Sequence, residues 1–341
     1  MPATQPAVPL DSLMESYLTA YRHMVRARLL EDKLAGLYRA GGRIVGGVYV
    51  GKGQEAFSAA LAVHLVKGKD IYAGLIRDQA GKLAFGEPML DCTRTYLGSA
   101  MGPMRGRDGN IHRGRPTEGM PAMISHLGSM VSVVSGMLMA RRMLGKLGDA
   151  VAATSIGDGG TSTGAFHEGL NMAAVERLPL VVSVANNQYA YSTPTERQFA
   201  CRSLVDRAVG YGIEGYEVDG TDLAACIAVF HQAVQRARAG HGPQLVVGNL
   251  LRLAGHGEHD DASYIPDATK KLGRDSLTIS EQNILERGWL SDAELRTVRE
   301  QARDEVEKAV SLTSREPAPD PFRETWTALS SSGLAEGWEV H

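Results

Sequence analysis

Two short polar clusters close apolar runs in the middle of the chain: Gly157-Asp158-Gly159-Gly160 after VAATSI, and Asn186-Asn187-Gln188-Tyr189 after LPLVVSVA. Asp158 and Asn187 are 29 residues apart, the span of one strand–helix–strand crossover between parallel strands. That spacing brings a carboxylate and an amide oxygen to the tips of two strands. Both are hard oxygen ligands, and magnesium prefers a few such protein oxygens with phosphate completing its shell. Gly157, Gly159 and Gly160 let the backbone approach a ligand, and the amides that open the next helix attract anionic oxygens. Either cluster alone also reads as a strand-exit turn or a cap. The pair together, each ending an apolar run, points to a cation-and-phosphate site.

The elements that must position these tips follow from the periodicity. VAATSIGDGG (151–160) and LPLVVSVANN (178–187) read as buried parallel strands, with a helix from Thr163 to Glu176 between them. YEVDG (216–220) ends another strand, TDLAACIAVFHQAVQRARAG (221–240) is a helix capped by Thr221 or Asp222, and PQLVVGNLLRL (243–253) is a further strand. Helices are also predicted over 18–38, 54–66 and 291–310. Alternating strands and helices give an α/β fold: a doubly wound, mainly parallel sheet with helices on both faces. Ligands of such sheets bind at the carboxyl ends of the strands, where RLAGHGEHDD (252–261) supplies a third polar exit. The division expected is a mobile Pro- and Ala-rich arm over 1–15, one α/β domain over 16–312 and a tail over 313–341. RGRDGNIHRGRPTEG (105–119) is a long polar loop of the kind that is usually functional or disordered.

The bulk composition narrows the function classes. The 341 residues carry 36 Lys and Arg against 39 Asp and Glu, a formal charge of -3. That balance gives no electrostatic case for nucleic acid or an anionic membrane. Cys92, Cys201 and Cys226 are widely spaced, which excludes a disulfide framework and suits a reducing cytoplasm. The start of the chain shows no charged region followed by an apolar core, so no secretory signal is read there. The apolar stretch 120–140 contains His126, several serines and two glycines, and is read as a buried core helix with its leading loop rather than a membrane span.

The stretch IGDGGTSTGAFHEGLNMAAVERLPLVVSVANNQYAYSTP resembles the alpha subunit of the thiamine-diphosphate-dependent 2-oxoacid dehydrogenases, which act on pyruvate, branched-chain 2-oxoacids or acetoin. MVRARLLEDKLAGLY, GQEA, YGIEGYEVDGTD and RLAGHGEHDDASY resemble other segments of that family in the same order. The resemblance implies the thiamine-diphosphate-binding fold, with thiamine diphosphate and Mg2+ as cofactors. Asp158, the Asn187 side chain and the Tyr189 carbonyl would then hold the magnesium, and Gly159 and Gly160 would line the diphosphate. Arg77 falls where the family has a tyrosine–arginine pair reaching the diphosphate, with Ile76 in the tyrosine's place. Ser125 and Leu127, in ISHLGS, match the backbone segment that holds the aminopyrimidine, in the branched-chain style. His256 matches the loop histidine beside the reactive thiazolium carbon, and imidazole suits proton transfer near neutral pH. His259 and His112 lie in similar loops. Gly257 stands where many mitochondrial relatives have a regulated serine, and Tyr49 where pyruvate-specific relatives carry histidine.

In that family the glutamate that activates the aminopyrimidine belongs to the beta subunit, and no segment here resembles its surroundings; Glu168 reads as structural. The resemblance therefore implies a beta subunit in an α2β2 heterotetramer and a lipoyl acyltransferase core as acceptor. The implied reaction is oxidative decarboxylation of a branched-chain 2-oxo acid or pyruvate with acyl transfer to a lipoyl group. Three other readings compete. An acetoin dehydrogenase or carboligase would work without a lipoyl acceptor. A dinucleotide oxidoreductase would need a GxGxxG after an early strand, which is missing. A non-catalytic paralogue would have no use for Asp158, Asn187 and His256 together.

Overall fold

Val, Ile, Leu and Ala runs with no polar face can fold as strands only if both faces are covered. In the computed structural model, which describes residues 10–108, 111–320 and 322, they are. The strands are β1 (Ile71–Ala73), β2 (Ala152–Gly157), β3 (Leu180–Asn186), β6 (Glu214–Asp219) and β7 (Gln244–Asn249), after a two-residue hairpin of β4 (Tyr189–Ala190) and β5 (Thr193–Pro194). The main sheet has the order β1-β2-β3-β7-β6 with every pairing parallel. Register pairs Gly157 with Ala185, so the β2 and β3 exits that carry Asp158 and Asn187 are side by side.

The period-2 alternation sends neighbouring residues of one strand into different cores. Ala153, Val181 and Val246 join the core formed with α1 (Leu10–Ala40), α2 (Glu55–Ala62), α3 (Gln79–Phe85), α4 (Met89–Tyr96), α8 (Leu223–Arg238), α10 (Ser276–Glu286) and α11 (Asp292–Thr313). Ala152, Val182, Leu245 and Val247 join the core of α5 (Ser129–Met143), α6 (Gly164–Val175) and α7 (Arg207–Tyr211). A short α9 (Asp267–Lys270) follows the last strand exit. Helices thus cover both faces, as the sequence predicts. Thr163, Asp222 and Ser291 cap α6, α8 and α11 by accepting from backbone N–H groups. The apolar stretch at 120–140 becomes a loop followed by α5, which buries Val131, Val134 and Leu138; no helix among the described residues is long and apolar enough to cross a membrane.

The helices bear on both predicted boundaries: α1 starts before residue 16, and α11 ends at Thr313, where the tail was expected to begin. Residues 10–15, assigned to the arm, are the first turns of α1, because the apolar positions Tyr17, Ala20, Tyr21 and Met24 that bury it continue a pattern begun before residue 16. The first nine positions lie outside the described residues. The tail is also anchored at its start. Glu316 accepts two bonds from Arg94 (Nη2 at 2.6 Å, Nε at 2.9 Å) and one from Ser99, and Ala100 N–H donates to the Pro317 carbonyl. The strand expected to reach Leu253 stops at Asn249, where the chain leaves the sheet and Leu253 N–H donates to the Lys52 carbonyl.

Candidate active site

Four strand exits open on one pocket of about 280 Å³. Leu75, Ile76 and Arg77 follow β1, Asp158 to Gly160 follow β2, Asn187 to Tyr191 follow β3, and Arg252 and His256 come after β7. Two carboxylates line it, in opposite states. Asp78 is saturated: it accepts from Gln54 Nε2 (2.8 Å), Leu75 N–H (2.7 Å) and Ser155 Oγ. Asp158, 1% exposed, receives one side-chain bond, from the neutral Gln198 amide at 3.1 Å. Burial raises its pKa, and the amide and the local N–H groups offset only part of that. A buried carboxylate with no cation bonded to it is a binding feature for one.

Asn187 is buried beside it, and its Oδ1 accepts from Tyr189 N–H at 3.3 Å, a turn that fixes the amide at the strand tip. Among the described residues no three His, Cys, Asp or Glu side chains gather as a cage. The donor set here is one carboxylate, one side-chain amide and backbone carbonyls. Such a set leaves most of an octahedral shell to other oxygens, which fits magnesium better than zinc or calcium.

The glycines divide differently from the expectation that all three admit a ligand. A Cβ on Gly159 would stand 2.3 Å from the Ala190 Cβ, and one on Gly160 would stand 2.6 Å from the Ile156 side chain. Those two glycines are required by protein packing at the turn, and Gly157 faces open space. The sequence cannot separate these uses, since each glycine has the same local context.

The opposite wall is cationic. Arg77 donates to the Val50 carbonyl (2.9 Å) and to the His256 carbonyl (2.5 Å), and its Nη2 makes a long 3.4 Å contact with His256 Nδ1. Burial, with Arg252 adding to it, lowers the Arg77 pKa to about 10. His256 is held down to about 4 by desolvation and then by Arg77 and Arg252, so its ring is neutral at physiological pH. With a guanidinium donor on Nδ1, the ring proton belongs on Nε2. Tyr49 and Tyr191 flank the ring, with centroids 5.4 and 4.4 Å away.

Of the residues singled out from the sequence, Arg77, Leu127, Asp158, Gly159, Gly160, Asn187, Tyr189 and His256 line this pocket together. Ser125 does not: it is exposed, and its hydroxyl bonds His112 Nε2, whose Nδ1 meets Asp108. Glu168 is on the exposed face of α6, outside the pocket. Sequence reasoning missed Arg252, which donates to the Tyr191 carbonyl and the Tyr264 hydroxyl, and Gln198, which holds Asp158. Arg252 was legible as a charge closing an apolar run. Nothing in the spacing marks Gln198.

Residues 21–322 match the family described as the dehydrogenase E1 component. The alpha subunit of acetoin:2,6-dichlorophenolindophenol oxidoreductase from Cupriavidus necator is 32% identical over 320 residues, covering 92% of this chain and 94% of that protein. The pyruvate dehydrogenase E1 component alpha subunit of Rhizobium meliloti is 31% identical over 90% of this chain and 88% of its own. The 2-oxoisovalerate dehydrogenase alpha subunit of Bacillus subtilis is 33% identical over 85% and 90%. The chain therefore belongs to the dehydrogenase E1 component family, as an alpha subunit of the oxidoreductases that decarboxylate 2-oxo acids.

Proposed function

We propose that this chain supplies the magnesium-and-diphosphate half of a thiamine diphosphate site, completed by a beta subunit in an α2β2 assembly. The observation that carries the reading is Asp158: a buried carboxylate with only neutral hydrogen-bond partners, beside Asn187 and facing a wall of Arg77 and Arg252. Asp158, the Asn187 amide and the Tyr189 carbonyl would hold the cation, and the cationic wall complements the charge of a diphosphate. Bound thiamine diphosphate supplies the carbanion and the electron sink for decarboxylation. The protein's part is to orient it, exclude water and control a proton. His256, neutral and carrying its proton on Nε2, would donate a hydrogen bond to a substrate oxygen, and the bond from Arg77 to its carbonyl supports this by holding the loop.

The acyl group passes, in this reading, to a lipoyl group on an acyltransferase core, and the assembly is cytoplasmic. A second reading, an acetoin dehydrogenase or carboligase that needs no lipoyl acceptor, draws on the identity to the Cupriavidus necator relative. The naming of the relatives as alpha subunits supports a missing half.

The experiment is to co-express the chain with its beta partner and measure turnover of pyruvate, branched-chain 2-oxo acids and acetoin with an artificial electron acceptor. Magnesium- and thiamine-diphosphate-dependent turnover of a 2-oxo acid is expected, and none from the chain alone. Robust turnover by a homogeneous single-chain preparation would overturn the two-subunit reading, and turnover of acetoin alone would select the second.

A further inference from the structure

We infer that Gln198 is a positioning residue for the cation-binding carboxylate, a role that rests on the reading of Asp158 given above. Gln198 follows the β4–β5 hairpin, which lies over the glycine turn with the Ala190 Cβ against Gly159. Its Nε2 donates to two acceptors at once, Asp158 Oδ2 at 3.1 Å and the Thr193 carbonyl at 2.8 Å. Both partners accept only, so the orientation of the amide is fixed by its surroundings. Gln198 Oε1 is left buried without a hydrogen-bond partner, which the protein tolerates in return for the bond to Asp158. The backbone is tied as well, since Ser162 Oγ donates to the Gln198 carbonyl at 2.8 Å.

The chemistry of this choice is specific. A buried carboxylate must be held by some donor to point in one direction, and Lys or Arg would neutralise it and compete with the metal. A primary amide supplies the donor with no net charge. It holds Oδ2 without neutralising the carboxylate. This is the outer-shell role that orients metal-binding side chains elsewhere, where loss of the partner typically costs about 10–100-fold in metal affinity.

The test is calorimetric titration of magnesium and thiamine diphosphate into the assembled alpha–beta protein, comparing wild type, Gln198→Leu and Ser162→Ala. Gln198→Leu should weaken magnesium-dependent binding by about 10–100-fold, and its kcat should recover at saturating magnesium and cofactor, so the loss appears in the apparent KM for the cofactor. Ser162→Ala removes a backbone tie to the same segment, together with the bond Ser162 Oγ accepts from Arg207 Nη2, and should stay within about threefold of wild type, as for exposed bonds. Unchanged affinity in Gln198→Leu, or an equal loss in Ser162→Ala, would overturn the positioning role and leave the cofactor reading standing. Absence of magnesium-dependent binding in wild type would overturn both.

Discussion

The two edges of the parallel sheet each bury an aspartate, and the two are treated in opposite ways. At the amino-terminal edge Asp70, fully buried just before β1, accepts from Arg238 through both oxygens (3.0 and 2.7 Å), and from the Val66 and Val151 N–H groups. It pins the starts of β1 and β2 and leaves no donor wanting. At the carboxyl edge Asp158 is just as buried but receives no cation, and its carboxyl is pushed up by desolvation. Burial of a charge marks structure when the charge is paired in place, and points to a ligand when the partner has to arrive from outside.

Four substitutions separate the two edges experimentally. The largest effect is expected at His256, on the ligand-binding edge. His256→Ala should lower turnover by roughly 10²–10⁴-fold while cofactor affinity stays within a few fold. Steady-state kinetics with the natural substrate checks it, and near-normal turnover would reduce His256 to a loop residue. Next comes Asp70→Ala, which strands Arg238 and two backbone donors. It should cost about 3–5 kcal/mol of stability, nearer the lower figure because Arg238 retains some solvent contact. Denaturant unfolding would read this, and a loss below about 1 kcal/mol, the size of an exposed pair, would contradict the pairing.

Asp158→Ala should do the reverse. Magnesium-dependent cofactor binding should fall about a hundredfold or more, with no loss of stability in the cation-free protein. If titration shows unchanged affinity, or melting shows that the fold collapses, Asp158 belongs with Asp70. The smallest effect is a slope. Glu31 lies behind the pocket, where its Oε2 accepts from Gly51 N–H, and burial followed by the neighbouring Glu55 charge raises its pKa from 4.5 to about 8. The folded state therefore holds a proton that the unfolded state releases, so stability falls as pH rises from 4.5 to about 8. Glu31→Gln should flatten that fall in melts taken across the window; an unchanged slope would mean that Glu31 is ionised in the fold.

The carboxyl edge was more legible than the amino edge. β2, α6 and β3 announce themselves by apolar runs of six or seven residues and a long amphipathic span between them. Asp158 and Asn187 could be placed because the crossover length fixes how far apart neighbouring strand tips fall in sequence. β1 escaped notice because Ile71–Ala73 is too short to show a period, and with it the burial of Asp70 at its start. α3, α4 and α10 were missed for a related reason: each is eleven residues or fewer and draws its helicity from packing, not from its own pattern. Within the pocket, Asp158, Asn187 and His256 were visible as polar residues after apolar runs. Gln198 was not, because its importance lies in which atoms of another loop it touches.

The docking of residues 314–320 has a practical consequence for anyone trimming this protein. A truncation placed at Thr313, where α11 ends and the helical pattern invites a cut, would remove Glu316 and with it the acceptor for Arg94 and Ser99. It would also remove Pro317, whose carbonyl secures Ala100, and Pro319, which fills the space above Gly106. Keeping residues 314–320 leaves this clasp between the last helix and the segment after α4 whole.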